Sequence, residues 1–519
     1  MAVSDVLRAL DAMHDPVVRR ELAEGRLEVL DEPDGELDDH ERRLVQAAAA
    51  GFPDALSDGG LSDGGLSSFA ELGAYGEAVR YTDSVYTEAW DGAPELSPLE
   101  PVRATHPDEV AGAPSFAEFA ERCLYDDRSG YYSTGAVRFG TDGHFWTYPE
   151  RMSPMFGVMV AESLRTIFDE WVWAGRLDDV DPLTILELGG GEGRLARDVL
   201  DHIGADATET WEPYRAGLRY VLGDRSRAMR ERQAAALSDH VAARTVDVRP
   251  IDAVELAWEG PFRGAVVANE LLDALAHECL RVDEDGTIVR VHVVDAPDGR
   301  HELEVPLSWG WFGPDGRAGP PPAELSAYLD RAVPMVEQVR DTGEATADLY
   351  WAPNLPRLIE RLAAVLRHPG SLGVAVLVDY GDATIDGIDT DDSRLRVYAA
   401  DQVHGRDPYR SPGASDLTWD VDFGEVGRLA RRHGLRVRFA GPQAALEVPP
   451  VDLGSTESLA RLLPGRAAEG AVTPAHAMAA TLLLVSEFRA PSSGYRVMML
   501  APADVPFPDN AFGPRQRLG

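Results

Sequence analysis

The stretch Glu187-Leu-Gly-Gly-Gly-Glu-Gly193 decides the fold, because it joins the apolar run of residues 184–188 to an amphipathic segment that begins at Arg194. Glycine has no side chain, so the alternate glycines of this stretch let the backbone pass close to a ligand at the carboxyl end of a strand. A dinucleotide-binding loop carries its third glycine three places after the second, whereas this chain has Arg194 there and its third glycine one residue earlier. The spacing therefore disfavours NAD and FAD as ligands.

Apolar strands and amphipathic helices alternate on both sides of the glycine loop, which predicts a parallel, doubly wound sheet of the α/β class. Alternating residues between Cys279 and Trp311 predict a small antiparallel insertion. A last apolar pair, residues 480–485 and 495–500, is expected to close the sheet as an antiparallel edge. The predicted sheet strands are residues 184–188, 219–222, 265–268 and 373–378, and helices are predicted at residues 194–202 and 355–366.

The chain is long enough for several structural units. The proline-bearing segment Leu96-Ser-Pro-Leu-Glu-Pro101 indicates a boundary near residue 105. We expect an N-terminal helical extension of unknown role at residues 1–105, a lid or substrate segment at 106–180, the cofactor-binding half of the core at 181–280, an insertion of hairpins and helices at 281–370, and the C-terminal half of the core at 371–519.

The chain is strongly acidic, with 88 aspartate and glutamate residues against 49 basic residues and a formal net charge of −39. Such a surface repels phosphate, so neither a nucleic acid nor an anionic membrane surface is expected as a partner. No lysine occurs, and the acidic residues are spread along the whole length. This composition indicates adaptation to high salt, and a GC-rich genome that favours arginine over lysine is the alternative.

Cysteine content and apolar runs bear on the compartment. The two cysteines, Cys123 and Cys279, are too few for a disulfide framework or a multi-cysteine metal site, and no metal is expected. The N-terminus lacks a basic start followed by an apolar block, and no apolar run approaches the ~18 residues of a membrane span. We therefore expect a cytoplasmic chain without membrane insertion.

The glycine spacing is the E-x-G-x-G-x-G form of S-adenosyl-L-methionine (SAM) methyltransferases. In that form Gly189, Gly191 and Gly193 make room for the methionine part of SAM, and Glu187 acts on its ammonium group. The alternative is an ordinary glycine-rich turn without a ligand.

Carboxylates after the next two strands are the remaining cofactor candidates. Asp224, at the end of Tyr220-Val-Leu-Gly-Asp224, is expected to accept hydrogen bonds from both ribose hydroxyls. Asp247 and Asp252 follow the third strand and are candidates for the adenine amino group. For Asp224 the alternative is a solvated aspartate at a strand end.

Several longer segments follow one another in the chain. They are Ser115-Phe-Ala-Glu-Phe-Ala120, Leu124-Tyr-Asp-Asp-Arg-Ser-Gly-Tyr-Tyr132, Phe145-Trp-Thr-Tyr-Pro-Glu150, Ser153-Pro-Met-Phe-Gly157, Asp224-Arg-Ser-Arg-Ala-Met-Arg-Glu-Arg-Gln233, Ala268-Asn-Glu-Leu-Leu-Asp-Ala-Leu275, Val378-Asp-Tyr-Gly381 and Asp416-Leu-Thr-Trp-Asp-Val-Asp-Phe423. Their content and order resemble the MidA family of SAM-dependent methyltransferases, over about residues 114–447.

The resemblance implies a class I, Rossmann-like methyltransferase fold with an antiparallel last strand, and methylation of a protein arginine. In the family's mitochondrial member the acceptor is a subunit of the respiratory NADH dehydrogenase, so a respiratory-complex subunit is the expected protein substrate. By the same resemblance Thr147, Pro149 and Glu150 belong to a lid over the cofactor. The chain departs from the family pattern at His144 and Ala276, which concern the substrate pocket.

Asn269, Glu270 and Asp273 are the predicted catalytic residues, because they follow the fourth strand, where related methyltransferases contact the methyl-accepting nitrogen. A guanidinium stays protonated and its lone pairs are delocalised, so its methylation needs carboxylates that hold it bidentately and accept charge. If a helix begins here, the spacing of Glu270 and Asp273 puts both on one face. The alternative is that these acids cap that helix through the backbone dipole.

Other candidates have mainly structural interpretations. Asp422, with Glu425 three places later, predicts a helix cap. Asp416 and Thr418, in what we expect to be a loop, either overhang the cleft or are ordinary polar loop residues. The tyrosine pair 131–132 either walls a substrate tunnel or packs in the core.

Three hypotheses for function follow. The leading one is a SAM-dependent protein arginine methyltransferase that acts on a respiratory-complex subunit. The second is an assembly or binding factor on the same fold with weak or no catalysis. The third is a small-molecule methyltransferase, because a fold does not determine the methyl acceptor.

Overall fold

The computed structural model describes residues 101–135, 137, 155–178, 181–205, 210–282, 286–296, 299–313, 315–330, 348–382, 395–399, 402–405, 407–443, 446 and 495–508. The helices predicted before residue 101, the strand predicted at 480–485, and the lid residues Thr147, Pro149 and Glu150 lie outside these ranges. No helix within them is long and apolar enough to cross a membrane.

The predicted strands at 184–188, 219–222, 265–268 and 373–378 and the predicted helices at 194–202 and 355–366 are present. The strands are β1 Val102–Arg103, β2 Leu183–Leu188, β3 Leu218–Asp224, β4 Val246–Pro250, β5 Arg263–Asn269, β6 Glu278–Val282, β7 Ile288–Ala296, β8 Gly299–Pro306, β9 Trp311–Phe312, β10 Ala318–Gly319, β11 Leu349–Trp351, β12 Leu372–Asp382, β13 Leu395–Ala399, β14 Gln402–Gly405, β15 Ser415–Trp419, β16 Val421–Asp422, β17 Leu435–Pro442 and β18 Tyr495–Pro502. The helices are α1 Phe116–Tyr125, α2 Met155–Trp173, α3 Arg194–Ala205, α4 Glu212–Arg215, α5 Arg227–Ala236, α6 Ser238–Ala243, α7 at residues 323–330, α8 Leu355–Leu366 and α9 Phe423–Arg432.

The central sheet has the strand order β17-β18-β12-β5-β2-β3-β4, with the short β16 paired to the end of β12. Neighbouring strands from β4 to β12 are parallel, and β18 runs antiparallel to both of its neighbours. The prediction of a doubly wound parallel sheet with an antiparallel last strand is confirmed. All five parallel strands end at the same edge of the sheet, so their carboxyl ends bring the candidate residues together.

The predicted edge position of residues 495–500 is wrong. Strand β17 pairs with the outer side of β18, from Leu435 opposite Pro502 to Pro442 opposite Arg496. The arginines of the segment Leu435-Arg-Val-Arg-Phe439 suit an edge strand, because charged side chains there discourage further strand pairing.

Two hydrophobic layers cover the two faces of the central sheet. One layer packs α2 and α3 against the sheet, and the other packs α8 and α9 against the opposite face. Ile185 lies in the first layer and Leu186 in the second, because successive side chains of a strand point to opposite faces. Burial on both faces explains why the parallel strands are nearly continuous apolar runs in the sequence.

Three smaller sheets lie in the described residues beside the central one, and one of them is the two-stranded pair β10-β9. Of the other two, the first has the order β1-β8-β7-β6-β11, and its antiparallel β6, β7 and β8 confirm the predicted insertion. The second has the order β14-β13-β15, and α1 contacts both β7 and β15. The expectation that Asp416 and Thr418 lie in a loop is wrong, because both belong to β15, where they pair with Tyr398 and Arg396 of β13.

Candidate functional site

The glycine loop turns sharply between β2 and α3. Gly189, Gly191 and Gly193 have φ angles of 69°, 51° and 82°, in the left-handed region that favours glycine. A Cβ on Gly189 would lie 2.7 Å from Cδ1 of Leu271, which follows β5. The glycine loop and the segment after β5 are therefore in contact, and the cofactor candidates adjoin the catalytic candidates.

Glu187 lies beneath this loop and is almost completely buried, with 2% of its surface exposed. The hydroxyl of Tyr220 donates to its Oε2 at 2.7 Å, and a Cβ on Gly190 would come within 2.9 Å of its Oε1. Burial raises the pKa of Glu187 to about 7, against the lowering effect of the Tyr220 hydrogen bond, and the charge of Asp224 raises the pKa further. This carboxyl is therefore poised to ionise when a cation binds.

Asp224 ends β3 and is tied to the glycine loop by Gln233 of α5. Its Oδ1 accepts from the backbone N–H of Ser226 at 2.8 Å, and its Oδ2 accepts from Nε2 of Gln233 at 2.9 Å. The same Nε2 donates to the carbonyl of Gly191 at 2.9 Å. Burial raises the pKa of Asp224. Gln233 was missed as a site residue in the sequence, although it ends the segment that begins at Asp224.

The two predicted adenine candidates, Asp247 and Asp252, occupy different positions relative to β4. Asp247 does not follow its strand but lies within β4, opposite Val221, and its exposed carboxylate pairs with Arg249 at 2.7 Å. The expectation that Asp247 follows the third strand is wrong, because β4 continues to Pro250. Asp252 does follow β4, and its Oδ1 accepts from the backbone N–H of Val254 at 2.9 Å.

The segment after β5 is a turn with no helix at Glu270 and Asp273, so the alternative that these acids cap a helix is wrong. Glu270 has a φ of 46°, which is rare for a residue with a side chain. Its backbone N–H donates to the carbonyl of Val378 at 2.9 Å, and its Oε1 accepts from Nδ2 of Asn269 at 3.2 Å.

Asp379 of β12 gives the reason for this turn. Its Oδ2 accepts from the backbone N–H groups of Leu272 and Asp273 at 2.9 and 3.2 Å, which holds the turn against the end of β12. Asp379 is fully buried, and burial together with the nearby Asp273 and Glu270 charges raises its pKa well above its usual range. This positioning residue was missed, although Val378-Asp-Tyr-Gly381 was among the segments that matched the MidA pattern.

Asp273 is buried at the end of this turn, with 6% of its surface exposed. Its Oδ2 accepts from the hydroxyl of Tyr380 at 2.7 Å, and among the described residues its Oδ1 has no hydrogen-bond partner. Burial raises the pKa of Asp273 to about 6, while the Tyr380 hydrogen bond, the backbone N–H of Ala274 and the charge of Arg396 lower it. A buried carboxylate oxygen without a donor is an open position for a ligand N–H.

Asp416 approaches Asp273 from β15 and is 1% exposed. Its Oδ1 accepts from the hydroxyl of Tyr132 at 3.0 Å. Burial raises its pKa to about 8, and the charge of Asp273 contributes in the same direction. The sequence left open whether Asp416 overhangs the cleft or is an ordinary loop residue, and no pattern in its neighbouring residues predicts its burial.

The described part of the segment before the sheet packs against α5. Ser226 Oγ donates to the carbonyl of Tyr132 at 2.9 Å, and Arg232 donates to the carbonyl of Val137 at 2.7 Å. Tyr131 is fully buried and meets the Tyr132 ring edge-on at 5.2 Å, so its core interpretation is correct. Asp422 accepts from the backbone N–H of Glu425 at 2.8 Å and caps α9, as predicted.

Known proteins with similar sequences include a methyltransferase family and two mitochondrial relatives. A family model described as "Putative S-adenosyl-L-methionine-dependent methyltransferase" matches residues 165–441. The chain is 28% identical over 344 residues to the mitochondrial protein arginine methyltransferase NDUFAF7 homolog of Drosophila melanogaster, covering 63% of this chain and 68% of that protein. It is 25% identical over 343 residues to the mitochondrial protein arginine methyltransferase NDUFAF7 of Rattus norvegicus, covering 64% of this chain and 69% of that protein.

Solved structures agree on the fold. A COG1565 superfamily member from Burkholderia thailandensis, bound to S-adenosyl-homocysteine, aligns with a TM-score of 0.55 and 21% identity. The alignment covers 79% of this chain and 94% of that one. A native structure of a COG1565 superfamily protein from the same organism gives a TM-score of 0.53 at 20% identity, over 79% of this chain and 93% of that one.

Proposed function

The chain belongs to this family of S-adenosyl-L-methionine-dependent methyltransferases, and from that premise we propose that it methylates an arginine side chain of a protein. The observation that carries the proposal is the buried Asp273 carboxylate, whose Oδ1 has no partner within the described residues. The names of the two NDUFAF7 relatives support arginine as the acceptor, at 25–28% identity.

The residues present fit SAM. The left-handed glycines leave room for the methionine part of SAM, and the buried Glu187 offers a carboxylate to an ammonium group. Gln233 has a buried Oε1 without a partner among the described residues, beside Asp224 and the carbonyl of Gly191. We therefore assign the cofactor to Glu187, Asp224, Gln233 and the glycine loop. For the adenine we favour Asp252 over the exposed Asp247, because Oδ2 of Asp252 lies 3.7 Å from Nε of Arg225, the residue after Asp224.

Bound SAM supplies an electrophilic methyl group on a sulfonium. The protein's own task is to align the acceptor nitrogen with that methyl group and to exclude water. We assign orientation of the acceptor to Asp273 and Asn269, whose Oδ1 atoms are buried and have no partner within the described ranges. Asp273 also accepts the proton that the acceptor nitrogen loses, because a carboxyl with a pKa of about 6 is mainly ionised at neutral pH. Glu270 adds a second carboxylate beside Asn269.

Mass spectrometry tests the proposed acceptor. We propose a subunit of a respiratory NADH dehydrogenase-like complex as the protein substrate, in keeping with the MidA resemblance. Incubation of candidate subunits with the full chain and SAM is expected to add whole methyl masses, and fragmentation is expected to locate them on arginine. Chain carrying Asp273→Asn is the matched control and should leave the masses unchanged. A methyl group on another residue type, or unchanged masses with wild-type chain, contradicts the proposal.

The protonation of Glu187 predicts a pH dependence of cofactor binding. Its pKa is raised to about 7, so the carboxyl is mainly neutral at pH 5.5 and half ionised at pH 7. Because the cofactor's ammonium binds the ionised form better, the affinity for S-adenosylhomocysteine should rise about tenfold between pH 5.5 and 7. Calorimetry at several pH values measures this slope, and Glu187→Gln should flatten it.

Glu212→Gln serves as the control for that measurement, because Glu212 is an exposed residue of α4, 68% accessible, that pairs with Arg215. It should keep the wild-type slope. An unchanged slope in Glu187→Gln would show that another group controls the pH dependence.

A further inference from the structure

We propose that Asp416 and Asp273 form a two-carboxylate clamp that recognises the planar guanidinium of the acceptor in preference to an ammonium. The inference rests on the proposed arginine methylation and adds Asp416 as the residue that determines acceptor class. Asp416 lies outside the three residues predicted from the sequence to be catalytic.

The two carboxylates come from different parts of the fold, and hydrogen bonds between β15 and the residues around Asp273 hold those parts together. Asp273 follows β5 of the central sheet, whereas Asp416 lies on β15 of the small sheet. The backbone N–H of Trp419 in β15 donates to the carbonyl of Asp273 at 3.1 Å. Tyr380 donates to Asp273 Oδ2, and its hydroxyl also contacts Oγ1 of Thr418 in β15. The position of β15 relative to Asp273 is therefore set by two independent contacts.

No basic side chain in the described ranges forms an ion pair with either carboxylate. Asp416 faces the Asp273 charge and the neutral hydroxyl of Tyr132, and the charge of Asp416 also acts on Tyr125 and Tyr131. Arg396, whose charge lowers the pKa of Asp273, forms its ion pair with Asp420 at 2.5 Å. Ionising both buried carboxyls without a cation is costly, so Asp416 holds a proton until a cation binds.

Unpartnered acceptors mark where the cation's N–H groups go. Oδ1 of Asp273 and Oδ1 of Asn269 have no hydrogen-bond partner within the described residues, and both side chains are more than nine-tenths buried. Asn269 and Asp273, at and after the end of β5, and Asp416, in β15, together offer hydrogen-bond acceptors from two parts of the fold. A guanidinium has five N–H donors in one plane and can reach several of them, whereas an ammonium is a compact, strongly hydrated charge. The arrangement therefore favours the planar cation.

Calorimetry with matched probes tests the clamp. The full chain, saturated with S-adenosylhomocysteine, is titrated with N-acetyl-L-arginine amide and with N-acetyl-L-lysine amide. Wild-type chain is expected to bind the arginine probe at least about tenfold more tightly than the lysine probe. Asp416→Asn should weaken arginine binding about 10- to 100-fold and abolish the preference. Asp295→Asn, which changes an exposed residue of β7 with 83% of its side chain accessible, should behave as wild type.

Proton release gives a second readout that needs no variant. Because the pKa of Asp416 is raised to about 8, that carboxyl is mainly protonated at pH 7, and cation binding should expel the proton. Titration of the wild-type chain in two buffers of different ionisation enthalpy should reveal this release, and affinity for the arginine probe should rise about 50-fold from pH 6 to 8, as the ionised fraction of Asp416 does. Asp416→Asn mimics the neutral acid, and its thermal melting curve checks that the variant is folded.

The clamp is overturned if the two probes bind wild type equally, if the arginine probe does not bind, or if folded Asp416→Asn retains the preference. Failure of the clamp can be told apart from failure of the proposed function. Arginine methylation in the mass test without a probe preference removes only the clamp. A probe preference that depends on Asp416, with no methylated protein found, supports the clamp and removes the protein substrate.

Discussion

Replacing Asp273 by asparagine is expected to lower kcat for methyl transfer about 100- to 1000-fold, while the affinity for S-adenosylhomocysteine stays within about twofold. The substitution keeps the shape of the side chain and its hydrogen bond with Tyr380, but it removes the charge that orients the acceptor and accepts its proton. Cofactor candidates Glu187 and Asp224 do not contact Asp273 in the described structure. Single-turnover kinetics with saturating SAM measures the loss.

A pH profile separates this role from a structural one. The pKa of Asp273 is raised to about 6, so kcat/KM of the wild-type chain should increase with pH through about 6 as the carboxylate forms. This step should be missing in Asp273→Asn. Asp247→Asn, which changes an exposed residue paired with Arg249, is the control and should keep both the rate and the profile. A wild-type rate in folded Asp273→Asn would remove this residue from the catalytic assignment.

Replacing Gly189 by alanine is expected to weaken binding of S-adenosylhomocysteine about 10- to 100-fold. Gly189 has a φ of 69°, where a side chain costs roughly 1–2 kcal/mol, and the new Cβ would lie 2.7 Å from Cδ1 of Leu271. The loop is therefore expected to shift away from the geometry that admits the cofactor. Calorimetric titration of the full chain measures the dissociation constant.

The matched control is Gly204→Ala at the end of α3, because a Cβ there meets no atom within 4 Å. This variant should bind S-adenosylhomocysteine within about twofold of wild type, since surface substitutions usually change free energies by no more than ~0.5 kcal/mol. Equal affinities of the Gly189 and Gly204 variants would mean that the glycine loop does not hold the cofactor.

Sequence prediction was most successful for features with a local cause. Residues 355–366 were predicted as a helix and form α8 with the same bounds, because the apolar residues repeat at helical spacing. It left the segment after β5 undecided, because two acids three places apart resemble the first turn of a helix, whereas the structure has a turn there. In the structure Asp379, about a hundred residues later in the chain, accepts hydrogen bonds from the backbone N–H groups of Leu272 and Asp273 and holds the turn.

Some residues of the candidate site could also be recognised from local sequence, and others could not. Glu187 and the glycine loop could be recognised because a left-handed turn needs glycine at particular positions, whatever surrounds it. Gln233 and Asp379 could not be recognised as site residues from the sequence alone, because their roles depend on hydrogen bonds to residues distant in the chain. Thr147, Pro149 and Glu150 lie outside the described residues, so their proposed place in a lid stays a prediction.

The sequence by itself determined the α/β class, the parallel direction of the apolar strands and the glycine turn, because each follows from the spacing of residues within single strands, helices and turns. Only the tertiary structure decided that β17 forms the edge of the sheet and that Asp416 is a buried neighbour of Asp273 rather than a loop residue. Tyr132 and Asp416 are 284 residues apart, and the hydrogen bond between them forms only when α1 packs against β15. Burial and the mutual repulsion of carboxylates are properties of that packing, so no local pattern in the chain can express them.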